Sequence, residues 1–150
     1  MQQTDLDRYL LQKQFPGMPL QESNLCRAWL RANGLEYERF DFNVRLGQGR
    51  PLIDGLPPEI QRQAKLLSQL RADVVGYVLG RVDIIEVKDR AQSASLGQIL
   101  AYQKLWNDDN GSTPIRKLVI VARDSHPDVE NVYKHAGVEL TIVAPEEFTL

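Results

Sequence analysis

Cysteine and histidine are nearly missing from this chain of 150 residues, which has one Cys26 and two histidines, His126 and His135. A lone cysteine forms no internal disulfide, so the expected setting is reducing and cytoplasmic. So few soft ligands also exclude a structural zinc site, which takes four Cys or His side chains. Long apolar runs are absent too. None approaches the roughly 20 residues of a membrane-spanning helix, and no membrane partner is expected. The first ten residues, MQQTDLDRYL, have neither the basic start nor the apolar stretch of a secretory signal. Nor does one sign of charge dominate, with 18 Lys/Arg facing 20 Asp/Glu. No global basic field therefore announces a nucleic-acid partner. The distribution is less even: residues 45–90 hold eight basic against six acidic side chains, and residues 91–150 hold five against eight. Any nucleic-acid contact would be local and salt-dependent.

What is present is an ordinary globular composition, 43% hydrophobic and 25% charged, in a length that suits one core and one domain. Thr4 can cap a short helix over Asp5 to Lys13, which Pro16-Gly17 ends. Residues 1–19 thus form an N-terminal arm that serves packing, dimer contact or substrate contact. Glu22 to Asn33 predicts a second helix with Leu25, Trp29 and Ala32 on one face and Gly34 as a left-handed stop. Cys26, inside that helix, reads as a packing residue. From Tyr37 to Leu46 the residues alternate, with Phe40, Phe42, Val44 and Leu46 on one face of a strand. The Gly/Pro-rich stretch GQGRPLIDGLPP reads as an irregular loop long enough to act as a flap. G47-Q-G49 lacks the Lys-Ser/Thr that would make it a phosphate-binding loop. A short helix from Pro57-Pro58-Glu59 would set Ile60, Ala64 and Leu67 on one side and expose Arg62 and Lys65.

The centre of the chain is RADVVGYVLGRVDIIEVKDR. Two β-forming runs flank Leu79-Gly80-Arg81, a tight-turn signal, so Asp73 and Glu86 lie on antiparallel neighbours. Parity on the second run puts Glu86 and Lys88 on one face and turns Asp83 away from them. Ser93 or Ser95 can cap the helix that follows, where Gln98 and Tyr102 share a face. KLVIVA (117–122), a helix from Asp128 to His135 stopped by Gly137, and a strand over Val138–Val143 complete the order. The expectation is an α/β fold, a mixed sheet flanked by helices. Trp29 and Trp106 fit helix–sheet packing; His126 and His135 fall at a loop and a helix end.

Carboxylates on neighbouring strands with a peptide carbonyl near Val87 make the oxygen-rich, anionic site that Mg²⁺ prefers. Lys88 beside them can position a water or stabilise developing charge. Glu22 projects from the first turn of its helix, either as a dipole-favoured acid at the rim or as a functional acid aimed into a cleft. Helix physics alone favours the rim. The alternative for Asp73, Glu86 and Lys88 is a strand-end ion-pair network, common and worth little.

Asp73, then thirteen residues on Glu86-Val87-Lys88, resembles the signature of the PD-(D/E)XK nuclease superfamily. Ala72 stands where that family most often has proline. Gln98-Ile99-Leu100-Ala101-Tyr102 is similar to the Gln-x-x-x-Tyr motif of its RecB-like branch, and the resemblance covers residues 20–122. It implies a restriction-endonuclease-like αβββαβ core with an extra C-terminal αβ unit at 123–150. Glu22 then matches the upstream acid that many members carry, against the preference from helix physics. The lack of a cysteine set sets aside the iron–sulfur branches. The resemblance further implies a Mg²⁺- or Mn²⁺-dependent DNA nuclease, cytoplasmic, of the phage-type or resolvase-like small kind. Asp73, Glu86, Val87 and Glu22 would hold metal, Lys88 would assist the attacking water, and Gln98 and Tyr102 would position. Arg45, Arg50, Arg62, Lys65 and Arg71 are the candidates for phosphate contact. DNA is the expected partner and a homodimer the expected assembly for cutting both strands. The family also contains members with broken sites that only bind nucleic acid or scaffold an assembly.

Overall fold

The hairpin at the centre turns on two residues with positive φ, Leu79 (49°) and Gly80 (74°), the geometry that matches the twist of the strands it joins. In the computed structural model, which describes residues 1–50 and 54–150, it joins β2 (Leu70–Val78) to β3 (Arg81–Ala91). β1 (Arg39–Leu46) pairs antiparallel with β2. On the other side β4 (Ile115–Ser125) and β5 (Glu139–Ile142) continue parallel to β3. The chain is therefore an α/β protein with one mixed five-stranded sheet, in the order β1-β2-β3-β4-β5.

Helices cover both faces. α1 (Gln3–Leu10) and α2 (Leu20–Asn33) pack with Phe15 and Met18 on the face made by Val74, Ile85, Val87, Val119 and Val121. The arm is thus a packing element, with Leu6 and Phe15 each 1% exposed. α4 (Ser93–Asp109) and α5 (Pro127–His135) close the other face over Val75, Ile84, Leu118 and Ile120. Trp29 and Trp106 are both buried in these layers, and Cys26 is wholly buried. Among the described residues no helix is long and apolar enough to cross a membrane.

Several local expectations are corrected. α1 starts after Gln2, not Thr4, and ends at Leu10; the Gln2 N–H meets Asp5 Oδ2 at 3.4 Å. Ala32 is exposed, because the buried stripe of α2 runs through Leu25, Cys26, Trp29 and Leu30. Gly34 is right-handed (φ −61°); what requires glycine there is the Leu6 side chain, 2.4 Å from where a Cβ would sit. Neither Ser93 nor Ser95 caps α4, whose N-cap is Gln92. The expected flap lies partly outside the described residues, since it includes 51–53.

Two corrections matter for function. β1 does not keep one face: Phe40 and Phe42 join the α1/α2 side, whereas Val44 and Leu46 join the α4 side. The switch falls at Asn43, which has φ 53°. A single residue out of extended geometry turns every following side chain over. The short helix between β1 and β2, α3 (Pro58–Ser68), is also reversed. Ile60 is 48% and Leu67 79% exposed, while Lys65 is half-buried, and no residue of α3 is buried.

Candidate active site

The β2–β3 ladder runs from Val78↔Arg81 to Val74↔Ile85 and stops there, although both strands continue. β2 stays with β1 as far as Leu70↔Leu46, and β3 stays with β4 as far as Ala91↔Ser125. The sheet opens into a fork with Asp73 at its base. In place of a backbone acceptor, Asp73 Oδ2 takes the Val87 N–H at 2.8 Å. The N–H and C=O of one strand residue project to the same side, so the Val87 carbonyl faces the same gap.

The fork lets side chains from opposite faces of the sheet address one opening. Glu86, on the α4 side, is 2% exposed, and its Oε2 accepts the Tyr102 hydroxyl at 2.7 Å. Burial, then a hydrogen bond and charge repulsion with Asp73, hold the Glu86 carboxyl protonated up to about 9. Glu22 arrives from α2 on the other face. It is half-buried, and its proton affinity is raised first by burial and then by Asp73. Lys88 acts electrostatically on both glutamates in the opposite sense, favouring their charged forms. Burial and the neighbouring Glu86 charge push the Tyr102 hydroxyl above its ordinary range, so it stays a donor.

Of the residues singled out in the sequence, the structure thus gathers Glu22, Asp73, Glu86, Val87, Lys88 and Tyr102 around one opening. Lys88 closes no ion pair with Glu86: among the described residues it has no carboxylate within 4 Å. Gln98 is exposed on α4, one turn before Tyr102, with no hydrogen-bond partner among the described residues. Asp83 sits apart on the α1/α2 face, fully buried, bound by Arg116 through two bonds of 3.0 and 2.6 Å and by the Tyr37 hydroxyl. Asp89 was missed in the sequence. It pairs with Arg123 at 3.1 Å and adds to the field that raises Glu22. Its place two residues beyond Val87 on the α2-facing parity was the available signal. The five basic candidates lie along the segment between β1 and β2 and its two junctions. Arg45, Arg50 and Arg62 are exposed, whereas Lys65 and Arg71 are half-buried.

The donor set at the fork is oxygen-rich and anionic, the kind a hard divalent cation takes. Among the described residues no three His, Cys, Asp or Glu side chains form a ready-made cage. Mg²⁺ does not ask for one: it takes one or two carboxylates and keeps its waters. Two neighbouring carboxyl groups, Asp73 and Glu86, with the Val87 carbonyl facing the same gap, fit that demand.

No protein-family model and no curated protein matches the sequence. Two solved structures are similar in fold. One is a repair endonuclease from Pyrococcus abyssi, 15% identical, matched over 89% of this chain and 50% of that one at a TM-score of 0.49. The other is the EndoMS–dsDNA2 complex, 14% identical over 91% of this chain and 50% of that one, also at 0.49. The chain spans about half the length of both. At this distance nothing of what they do transfers to it.

Proposed function

We propose that this chain is a divalent-metal-dependent DNA nuclease that hydrolyses phosphodiester bonds at the fork. The observation that carries the reading is the buried Glu86 carboxyl beside the half-buried Asp73, with Lys88 in no ion pair near them. A buried carboxyl beside a second acid is costly, and among the described residues neither Asp73 nor Glu86 has a Lys or Arg within 4 Å. Asp73 and Glu86, with the Val87 carbonyl and Glu22, would hold Mg²⁺ or Mn²⁺. When bound, the metal supplies Lewis acidity to a phosphoryl oxygen and lowers the pKa of a coordinated water. Tyr102 fixes the orientation of the Glu86 carboxylate through its hydroxyl. Lys88, with no carboxylate partner, directs its ammonium at the attacking water or at charge growing on the phosphate. Gln98 stands ready to contact the substrate backbone from α4. A cut through both strands of a duplex would require a second copy, one site per strand.

The alternative reading is a protein that keeps the fold, binds nucleic acid and does not cleave it. One experiment separates the two. Plasmid and single-stranded DNA are incubated with the protein in Mg²⁺, Mn²⁺ or EDTA, beside Asp73→Asn and Lys88→Ala. Metal-dependent cleavage that falls by about 10²-fold or more in each variant supports the nuclease, as expected for loss of a charge-stabilising group. Binding without cleavage supports the second reading, and undiminished cleavage in both variants would sink the site.

A further inference from the structure

α3 is amphipathic the wrong way round for a helix that belongs to the core. Ile60, Ala64 and Leu67 fall on one face at four- and three-residue spacing and all three are exposed, while Gln61, Lys65 and Ser68 on the inner side are half-buried. The helix is nevertheless firmly rooted. Gln69 Nε2 donates to the Gly47 carbonyl at 2.6 Å, and Ser68 Oγ accepts the Arg50 N–H at 2.7 Å. Gly47 N–H donates to Asp109 Oδ2 on α4 at 3.1 Å. At this root a recess of about 450 Å³ is walled by Leu46, Leu70, Leu105 and Arg50. Asp73 follows three residues after Leu70, about 10 Å of extended strand away.

Charge decides what covers the stripe. Residues 45–71 carry five Lys/Arg against two Asp/Glu, while the rest of the chain carries 13 against 18. Outside this segment most of the basic side chains are in ion pairs. Within it, among the described residues, none of Arg45, Arg50, Arg62, Lys65 and Arg71 is. A two-fold contact between two α3 stripes would join two net-positive segments and supply no counter-charge to either. A contact between α3 and the acidic remainder of another copy would supply counter-charge but no partner for the apolar stripe, and would show as a dimer that loss of the stripe splits. A polyanion with apolar faces satisfies both surfaces at once.

We infer that α3 is a nucleic-acid grip: its basic side chains hold phosphates, and its Ile60–Ala64–Leu67 stripe lies against the faces of unpaired bases. The inference rests on the nuclease reading and narrows its substrate to DNA with single-stranded bases beside the scissile phosphate. Stacked base pairs expose such a face only after unstacking, which costs free energy at each step, whereas unpaired bases offer it without that cost.

The test is fluorescence anisotropy of the full chain in EDTA with single-stranded, forked and blunt duplex oligonucleotides. Ile60→Gln/Leu67→Gln and Arg62→Ala/Lys65→Ala are compared with the wild type. Glutamine keeps helix propensity, and α3 buries nothing, so both variants should melt with the wild type. The wild type is expected to bind the fork at least about tenfold tighter than the duplex. The glutamine variant should erase that ratio and leave duplex binding alone. The alanine variant should weaken every oligonucleotide and lower the slope of log K against log salt by up to about 2, at roughly 0.7 to 0.9 per lost contact. A glutamine variant that keeps the fork preference overturns the inference. So does sedimentation showing a wild-type dimer that this variant splits while DNA binding is unchanged. In either case the nuclease reading stands or falls separately, on metal-dependent cleavage by wild type against Asp73→Asn.

Discussion

Glu86→Gln is expected to make the metal-free protein more stable at neutral pH. Glu86 is 2% exposed and keeps its proton up to about 9 against an ordinary value of 4.5. A folded-state pKa above the unfolded one means that the folded state binds the extra proton. The associated stability is complete below pH 4.5 and is lost as pH rises through 9. Between those limits one additional proton is bound on folding, so stability falls by about 1.4 kcal/mol per pH unit. From pH 5 to pH 8 that amounts to about 4 kcal/mol, a large part of the 5–15 kcal/mol of a typical domain. Glu22 is raised as well and pulls in the same direction. Glutamine accepts the Tyr102 hydroxyl and donates to Asp73 at no proton cost, so the variant should lose most of the slope. The assay is urea unfolding of wild type and variant in EDTA at half-unit steps over this range. A wild-type stability that is flat or rises with pH, or an unchanged slope in Glu86→Gln, would refute the reasoning.

Two further substitutions probe the scaffold that holds the fork. Arg27 is 2% exposed and donates to Asn24 Oδ1 and to the carbonyls of Gln12, Lys13 and Glu146 at 2.7–2.8 Å, so Arg27→Ala should cost about 3 kcal/mol or more. It should also release the N-terminal arm and the C-terminal tail, read as new proteolytic cuts before residue 20 and after residue 143. Gly76→Ala would set a Cβ 2.6 Å from the Tyr37 ring and 3.1 Å from that of Phe40, both buried. Overpacking of this kind should lower stability by about 1–3 kcal/mol, measured as a shift in urea midpoint.

Much of the element order was legible because local pattern decides it. Leu79-Gly80 announces the hairpin, the apolar run of β4 announces a buried strand, and Gly137 at φ 75° ends α5 as its position suggests. Parity within β3 was legible for the same reason, since that strand is regular where Asp83 and Glu86 part company. What the pattern hides is where regularity ends. Nothing in R-F-D-F-N-V-R-L marks Asn43 as the residue that reverses its neighbours, and nothing in R-A-D-V marks the point where β2 leaves β3. Both are properties of paired strands, not of either strand alone. The orientation of α3 was misread because an apolar stripe reports only that three residues share a face. Which way the face looks depends on whether a core lies within reach, and at that edge of the molecule none does. Asp89 was hidden by a neighbour in sequence: Glu86 and Lys88 drew the reading to one parity, and the acid beyond them lies on the other.

Asp83 and Glu86 show why one buried acid of β3 is scaffold and the other a candidate for chemistry. They are three residues apart, 0% and 2% exposed, and each accepts a tyrosine hydroxyl. They differ in counter-charge. Arg116 grips Asp83 with two hydrogen bonds and also holds Glu36 at 2.8 Å, so that site is neutralised by the fold itself. Glu86 has Asp73 where a cation would stand. Removing charge should therefore act with opposite sign at the two positions. Asp83→Asn leaves the largely buried Arg116 without its main partner and should cost about 3 kcal/mol. Glu86→Gln should stabilise at the same pH in EDTA. Unfolding both variants at pH 8 checks the contrast directly. Equal destabilisation by the two would mean that Glu86 is as structural as Asp83, and the strand fork would then lose its claim to be a site.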